Sequence, residues 1–128
     1  MLPQIRDEAR LRAAFRWSIP DRYNIGVDVC DRWAAVDPDR PAIIEVFAEG
    51  GSAILTFGAL REASNRLANA LRRAGIGRGD RVGLLLPQSR DVAVAHVALY
   101  KLGAVALPLA VLVGIEGLTF RGSEAGAK

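Results

Sequence analysis

Three glycines lie at alternate positions, Gly75, Gly77 and Gly79. Closely spaced glycines can form a loop that binds the pyrophosphate of a dinucleotide, so this segment is a candidate nucleotide-binding motif. Such a loop must follow a strand and open a helix, so that the phosphates meet the helix N-terminus. Here the glycines end a helical pattern and lead into a strand-like run, so they are interpreted as a turn. The cell-adhesion tripeptide Arg78-Gly79-Asp80 inside this segment is likewise interpreted as ordinary turn composition.

A second glycine pair lies within Glu49–Ser52, between two β-rich runs, and it lacks the lysine and hydroxyl residue of a phosphate-binding loop. It is interpreted as a hairpin turn. The segment that does follow a predicted strand and precede a helix, Pro87–Arg90, contains no glycine. Neither segment is therefore predicted to bind a nucleotide phosphate.

The single histidine and the single cysteine, His96 and Cys30, are the natural candidates for catalysis or metal binding. His96 lies in an apolar run with no partner expected at i+3 or i+4, and a metal site needs several ligands, so its ring nitrogen is predicted to be satisfied within a helix. Cys30 is interpreted as a small buried thiol, because Asp28 and Asp31 would raise its pKa rather than lower it.

Tyr100 and Lys101 belong to residue types that catalyse hydride transfer when they lie four apart on one helix face. Adjacent residues point to different sides of a helix, so this pair does not meet that requirement. No catalytic, cofactor-binding or metal-binding residue is assigned from the sequence.

The composition predicts a globular protein, since 51% of the 128 residues are apolar and 24% are charged. The net charge is +3, and the arginines are spread from Arg6 to Arg121 with acidic residues between them, so no nucleic-acid partner is predicted. One cysteine fits a reducing compartment, and the charged first residues do not resemble a signal peptide. We therefore expect a cytoplasmic location.

One long apolar run, Val92–Ile115, could be mistaken for a membrane span, because its only strongly polar residues are His96 and Lys101. A lysine near the middle of a span is costly, and Gly103 and Pro108 interrupt the run where a soluble fold needs turns. No membrane span is predicted.

The elements that must position these residues follow from periodicity. Residues 1–16 predict at most a short surface helix, and Asn24 can cap a helix whose apolar face would be Ile25, Val29, Trp33 and Val36. The runs within about 42–57 predict a β-hairpin. Thr56 can cap a strongly amphipathic helix that ends at Gly75 in a left-handed cap. The predicted apolar face of that helix consists of Leu60, Ala63, Leu67, Ala70, Leu71 and Ala74.

The segment of about 81–107 reads as strand, helix, strand, with Ser89 capping a helix over Arg90–Leu102 that is apolar nearly all round. Such a βαβ unit implies parallel strands and hence an α/β fold. Ile115–Glu124 predicts a last short helix. A parallel sheet needs cover on both faces, so the chain reads as one partial domain that self-associates through its exposed apolar edge.

Four ordered stretches carry a resemblance to a known family. They are Tyr23–Ile25 with Cys30–Ala34, then Leu55–Leu71, Arg78–Gln88 and Val97–Leu109. Together they resemble the N-terminal part of the AMP-forming acyl-CoA synthetases, within the adenylate-forming, AMP-binding superfamily, and look most like the branch acting on acetyl, medium-chain and aromatic acids.

The resemblance implies a ligase of fatty acid metabolism that joins ATP, a carboxylic acid and coenzyme A to give acyl-CoA, AMP and pyrophosphate through an acyl-adenylate. In that family ATP and Mg²⁺ are held by a Ser/Thr/Gly-rich loop with a lysine, a glutamate and an aspartate, and a further lysine lies in a mobile C-terminal domain. None of these motifs occurs in this sequence. No cofactor is therefore predicted to bind this segment itself.

Two departures from the family pattern affect the expectations. Ala59 stands where the family usually has glutamate, so the capping box after Thr56 is incomplete. Ala110–Val113 replaces a Gly-Gly loop that contributes to coenzyme A binding in the acetate-specific enzymes, which favours a longer or aromatic acid.

The resulting hypothesis is that residues 1–128 form a partial three-layer parallel-sheet subdomain of the large ATP- and acyl-binding domain. It would be a structural flank that is inactive alone and pairs with the remainder of the synthetase chain. The alternative is a self-sufficient small α/β binding or regulatory module that dimerises and has no enzymatic activity.

Overall fold

The computed structural model describes residues 4–128, so the first three residues of segment 1–16, which is predicted to form a surface extension of the domain, lie outside the described residues. The extension contains a short helix, α1 (Glu8–Ala14), whose N-cap Asp7 accepts a hydrogen bond from the Arg10 N–H at 2.8 Å. None of its residues is buried. The expected surface helix is confirmed for this part of the chain.

The second helix contains a π-helical segment, Val27–Asp31, which continues directly into α2 (Arg32–Val36). Asn24 caps it as predicted, because its Oδ1 accepts from the Val27 N–H at 3.2 Å. The predicted apolar face is wrong, since Val36 is 77% exposed and Ile25 47%. The buried stripe is Gly26, Cys30 and Ala34. The π-helical turn is wider than an α-helical one and changes the phase of the helix, and small residues allow the neighbouring helices to come close.

The predicted hairpin is confirmed as two antiparallel strands, β1 (Pro41–Val46) and β2 (Ser52–Thr56), with Ile44 opposite Ile54. The turn uses Gly50 and Gly51 at φ values of 97° and 88°, a region that glycine enters without steric cost. Phe57, which was expected to end the second strand, begins the next helix instead.

The amphipathic helix α3 (Phe57–Arg73) is capped as predicted, since the Thr56 hydroxyl accepts from the Ala59 N–H at 3.2 Å. Gly75 follows at φ 87°, and the Ile76 N–H donates to the Leu71 carbonyl, which is the expected left-handed cap. The buried positions are Leu60, Ser64 and Ala68. Of the predicted apolar face, Ala70 and Ala74 are exposed.

The βαβ unit is confirmed as β3 (Arg81–Leu84), α4 (Arg90–Leu102) and β4 (Val105–Pro108), with the two strands parallel. The apolar pattern predicts a first strand over Arg81–Leu86, and the observed strand is two residues shorter. Ser89 takes the N-cap position, but within residues 4–128 its hydroxyl accepts no hydrogen bond from the helix, so its predicted capping role is wrong. Gly103 ends α4 in the left-handed conformation.

The last helix, α5 (Ile115–Ala125), lies where it was predicted and ends at Gly126. Its end returns to the start of β3, because the Arg81 Nη1 group donates to the Ala125 carbonyl at 2.8 Å and the Lys128 N–H donates to the Arg81 carbonyl at 2.7 Å. The chain therefore folds back onto the parallel sheet at residue 128.

The core has two parts, and α3 and α4 contribute to both. Cys30, Leu60 and Val97 form one cluster under the hairpin residues Ala42 and Leu55. Val82, Leu99 and Ala104 form the other, between the helices and the parallel strands. The architecture is the predicted partial α/β fold, in which α4 is covered on both sides.

Among the described residues, no helix has both the length and the apolar character needed to cross a membrane. The long apolar run is divided instead between a 13-residue helix, a strand and a turn.

Candidate functional site

The parallel strands end side by side, with Leu84 paired to Pro108, and open α/β sheets bind ligands at this carboxyl edge. Two loops follow the strand ends, 85–89 before α4 and 109–114 before α5. The second loop is tied to the first strand, since the Leu109 N–H donates to the Leu84 carbonyl at 2.9 Å. These two loops form the candidate functional site.

The carboxyl edge is mainly apolar. Leu85 and Leu86 are exposed after β3, and Leu112, which is 95% exposed, lies in the segment Ala110–Val113 that was compared with a coenzyme A loop. A close turn shapes this segment, because the Val113 N–H donates to the Ala110 carbonyl. The segment thus offers an apolar loop rather than flexible glycines.

Charged groups are sparse at the same edge. Arg90 begins α4, and its Nε atom lies 3.7 Å from Oε2 of Glu45 in the hairpin. Nowhere in residues 4–128 do three histidine, cysteine, aspartate or glutamate residues come together as metal ligands. The edge can therefore line a site, but these side chains do not form a catalytic or metal-binding group.

A polar cluster at the opposite end of α4 was missed by sequence reasoning. The Lys101 ammonium lies 2.6 Å from Oδ1 of Asp31 and donates to Oγ of Ser64 at 3.0 Å and to Oδ1 of Asn65 at 2.7 Å. Asn24 donates in turn to the Lys101 carbonyl at 3.1 Å. The Lys101 side chain is only 10% exposed, and Ser64 is fully buried.

This cluster joins the π-helical segment, α3 and α4 through one cation. Two sequence features could have indicated this cluster: a lysine in an otherwise apolar helix, and a serine one turn after Leu60 on α3. Since the ammonium donates to Ser64 and Asn65 and lies beside the Asp31 carboxylate, the cluster is suited to structure rather than to proton transfer.

Cys30 is completely buried, as predicted, against Leu60 and Val97. Burial raises the pKa of the thiol, and the Lys101 cation partly offsets this while Asp31 adds to it. A thiol held in its neutral form is a poor nucleophile. The prediction of a small buried thiol is confirmed.

His96 has the satisfied ring nitrogen that was expected, but the expectation that no i+4 residue could partner it is wrong. Its Nδ1 atom lies 3.0 Å from the Tyr100 hydroxyl. Tyr100 and Lys101 do point to different sides of α4, toward His96 and toward Asp31 respectively. The His96–Tyr100 pair is half-buried and lies outside the two loops of the carboxyl edge.

The glycine motifs are turns, as predicted. The Gly77 N–H donates to Oδ2 of Asp80 at 2.8 Å, and the Gly79 N–H donates to the Gly103 carbonyl at 2.9 Å. These contacts connect the end of α3 to the start of the parallel sheet. The pKa of Asp80 is lowered mainly by its hydrogen bond to Lys128.

Comparison with known proteins agrees with this geometry. The family described as AMP-binding enzyme matches residues 30–128. Acetyl-coenzyme A synthetase 1 of Debaryomyces hansenii is 36% identical over 90 residues, which are 70% of this chain and 13% of that protein. The human protein named acetyl-coenzyme A synthetase 2-like, mitochondrial, is 32% identical over 113 residues, 88% of this chain and 16% of that one.

A crystal structure of a Brucella canis acyl-CoA synthetase has the same fold, with a TM-score of 0.80 and 29% identity over 99% of this chain and 23% of its own. The chain thus spans 13% to 16% of the length of the two curated relatives.

Proposed function

The chain belongs to the AMP-binding enzyme family, and from that membership we propose that it is a structural part of an enzyme that ligates a carboxylic acid to coenzyme A. The observation that carries the proposal is the match of 99% of the chain to an acyl-CoA synthetase at a TM-score of 0.80. The similarity to acetyl-coenzyme A synthetases supports an N-terminal position in an AMP-forming enzyme. The synthetase hypothesis is therefore favoured over an independent small module.

The proposed reaction joins the acid to ATP, releases pyrophosphate, and passes the acyl group from AMP to the coenzyme A thiol. It needs cations near the reacting phosphate and an enclosed site that protects the mixed anhydride from water. The described residues do not fit ATP or Mg²⁺, because no glycine-rich loop opens α4 and no carboxylate cluster is present among them. We assign no step involving these groups to this chain.

What this chain contributes, in the proposal, is one wall of the site. The Lys101 cluster and the two core clusters hold α4, and α4 holds the ends of β3 and β4 in register. The apolar loop Ala110–Val113 stands in place of the Gly-Gly loop of the acetate-specific enzymes, and this difference supports a longer or aromatic acid over acetate. A role in fatty acid metabolism and a cytoplasmic location are part of the same proposal.

The proposal includes the prediction that the 128-residue chain has no enzymatic activity by itself, and this is tested with that chain alone. Acid-dependent exchange of labelled pyrophosphate into ATP is measured with acetate, octanoate and benzoate as the acids. We expect no exchange above a no-protein control, because the phosphate-binding groups are absent from the sequence. Exchange that scales with protein concentration would refute the structural role.

The proposed partners are the remaining segments of a synthetase and, for the 128-residue chain alone, a second copy. Leu112, Ile115 and Phe120 expose large apolar side chains near the carboxyl edge, and such patches favour association. We expect the weight-average mass in sedimentation equilibrium to rise with concentration. A constant monomer mass across a hundredfold range would contradict self-association.

A further inference from the structure

Two clefts open at the amino end of the parallel sheet, opposite the carboxyl edge. The larger one, of about 810 Å³, lies between segment 20–25 and the end of α4. The smaller one, of about 510 Å³, lies between α3 and the end of α4. Arg78, Lys101 and Leu102 line both of them. Because they share these residues the two clefts adjoin, and together they are called the amino-end cleft.

The charged side chains of the amino-end cleft are mostly arginines. Arg22 and Arg78 line its larger part, Arg72 lines its smaller part, and all three residues are exposed. Asp21 is the one acidic residue in the lining within the described part of the chain. Lys101 also lines the cleft, but its ammonium is already paired with a carboxylate. The three guanidinium groups therefore give the cleft a net positive charge.

Two of these arginines have no counter-charge from the protein. Within residues 4–128, neither Arg22 nor Arg78 has a carboxylate at ion-pair distance, whereas the guanidinium groups of four other arginines do. Arg72 donates to the neutral side-chain oxygen of Asn69 at 2.8 Å. The positive charge of the cleft is therefore available to an anion.

Arginines often lie at the ends of helices because cations bind the last carbonyl groups. Here the carbonyls at the end of α4 already have donors, which are the N–H groups of Gly103 and Ala104 and the amide of Asn24. The stem of Arg78 packs against Gly103, where an added Cβ would lie 3.2 Å from the Arg78 Cγ atom. Capping of α4 therefore does not account for the arginines of the cleft.

The backbone on both sides of the larger part is held in place. Asn24 joins segment 20–25 to α4 through its hydrogen bond of 3.1 Å to the Lys101 carbonyl. On the other side, the Gly79 N–H donates to the Gly103 carbonyl at 2.9 Å, which fixes the residue after Arg78. A site whose walls are fixed before the ligand arrives loses less entropy on binding.

We propose that the amino-end cleft binds a small molecule with a phosphate or pyrophosphate group, with Arg22 and Arg78 as its main ligands and Arg72 as a third contact. A guanidinium group offers two parallel N–H donors that match the oxygens of a phosphate. A concave site of this volume fits a small molecule, whereas nucleic acids bind along an extended basic face. The proposal does not rest on the proposed function, because the cleft lies at the end of the sheet opposite the candidate functional site.

The test is a titration of the 128-residue chain with inorganic pyrophosphate at constant ionic strength and without divalent cations. NMR follows the backbone amides of Gly79 and Gly103 and the arginine Nε–H signals. Sodium chloride and citrate are titrated in parallel as anions without phosphorus. Arg22→Gln and Arg78→Gln remove the proposed ligands. The matched control is Arg73→Gln, which removes the same charge from an exposed residue that lines neither part of the cleft.

We expect saturable shifts at Gly79 and Gly103. The affinity for pyrophosphate should fall about tenfold or more in Arg22→Gln and in Arg78→Gln, since each loses a charge-assisted hydrogen bond. Arg73→Gln should change it less than about twofold, because an exposed charge outside the cleft is screened by salt. Unchanged shifts of amides remote from the cleft verify that the variants are folded.

Three results would overturn the proposal. The first is equal weakening by the control and by the two cleft variants, which would indicate a general charge effect. The second is a set of shifts that grow linearly with pyrophosphate or that sodium chloride reproduces. The third is binding of citrate as tight as that of pyrophosphate, which would remove the assignment to phosphate. None of these results depends on whether the parent enzyme makes acyl-CoA.

Discussion

At the scale of single residues, Lys101 is the most consequential side chain in the chain. It is one of only two lysines, and its ammonium contacts three residues on two other elements: Asp31 in the π-helical segment, and Ser64 and Asn65 in α3. A charge that leaves water needs such partners, because an unpaired buried charge is strongly destabilising. The position of one cation thus ties the π-helical segment to the helix pair.

We expect Lys101→Met to lower the free energy of unfolding by about 2 to 4 kcal/mol, since it leaves the Asp31 carboxylate without its cation. The measurement is urea unfolding followed by circular dichroism. Arg66→Met is the matched control, because Arg66 lies 3.7 Å from Glu62 and both side chains are more than two-thirds exposed. That substitution should change stability by less than about 1 kcal/mol. Equal losses in the two variants would show that the Lys101 ion pair has no special role.

At the scale of elements, the close approach of α4 explains why the second helix buries small residues. Its buried positions, Gly26, Cys30 and Ala34, follow one another at intervals of four. Gly26 lies against α4 so closely that an added Cβ would be 2.6 Å from Cγ of Lys101 and 2.9 Å from its backbone N. The close approach of the two helices therefore depends on glycine at this position.

Gly26→Ala should destabilise the protein by about 1 to 3 kcal/mol, because the backbone of α4 cannot move away without disturbing the Lys101 cluster. Gly77→Ala is the control, since an added Cβ there meets no atom within 4 Å. It should be neutral or slightly stabilising, because alanine restricts the unfolded chain. Thermal unfolding of both variants by calorimetry gives the comparison. A Gly26→Ala protein as stable as the Gly77→Ala protein would contradict the packing described.

Elements with regular periodicity and clear end signals could be predicted from the sequence. The 13-residue helix α4 has the predicted boundaries, and the hairpin, α3 and α5 lie within one or two residues of expectation. The predicted face of the second helix is wrong, and that of α3 lacked the buried Ser64 and Ala68, for physical reasons. A π-helical turn changes the 3.6-residue phase, and Ser64 is buried because a distant lysine donates to it. Neither effect leaves a local pattern in the sequence.

No catalytic residue was assigned from the sequence, and the polar contacts away from the carboxyl edge were not predicted. His96 contacts a residue four positions later on the same helix, whereas the side-chain partners of Lys101 are 36 or more residues away in the sequence. The first could be read from helical spacing, whereas the second requires the helices to be packed. Contacts between side chains on different elements could therefore not be predicted from the sequence.

At the scale of the whole molecule, the exposed apolar surface and the lack of assigned catalytic or cofactor-binding residues have one explanation. The parallel pair β3 and β4 has helices α3 and α4 on one face, an open edge at β3, and an exposed Val105 on the other face. Parallel sheets are normally covered on both faces. These properties support the proposal that the chain is one part of a larger ligase.

The most direct test of this account is a chimera. The structurally equivalent segment of the Brucella canis acyl-CoA synthetase is replaced by residues 1–128 of this chain, and acid-dependent exchange of pyrophosphate into ATP is measured with the acid that the parent enzyme uses. The same enzyme with the segment deleted is the negative control. We predict exchange within about tenfold of the parent, which corresponds to a change of about 1.4 kcal/mol in the barrier. A folded chimera that is as inactive as the deletion would contradict the account.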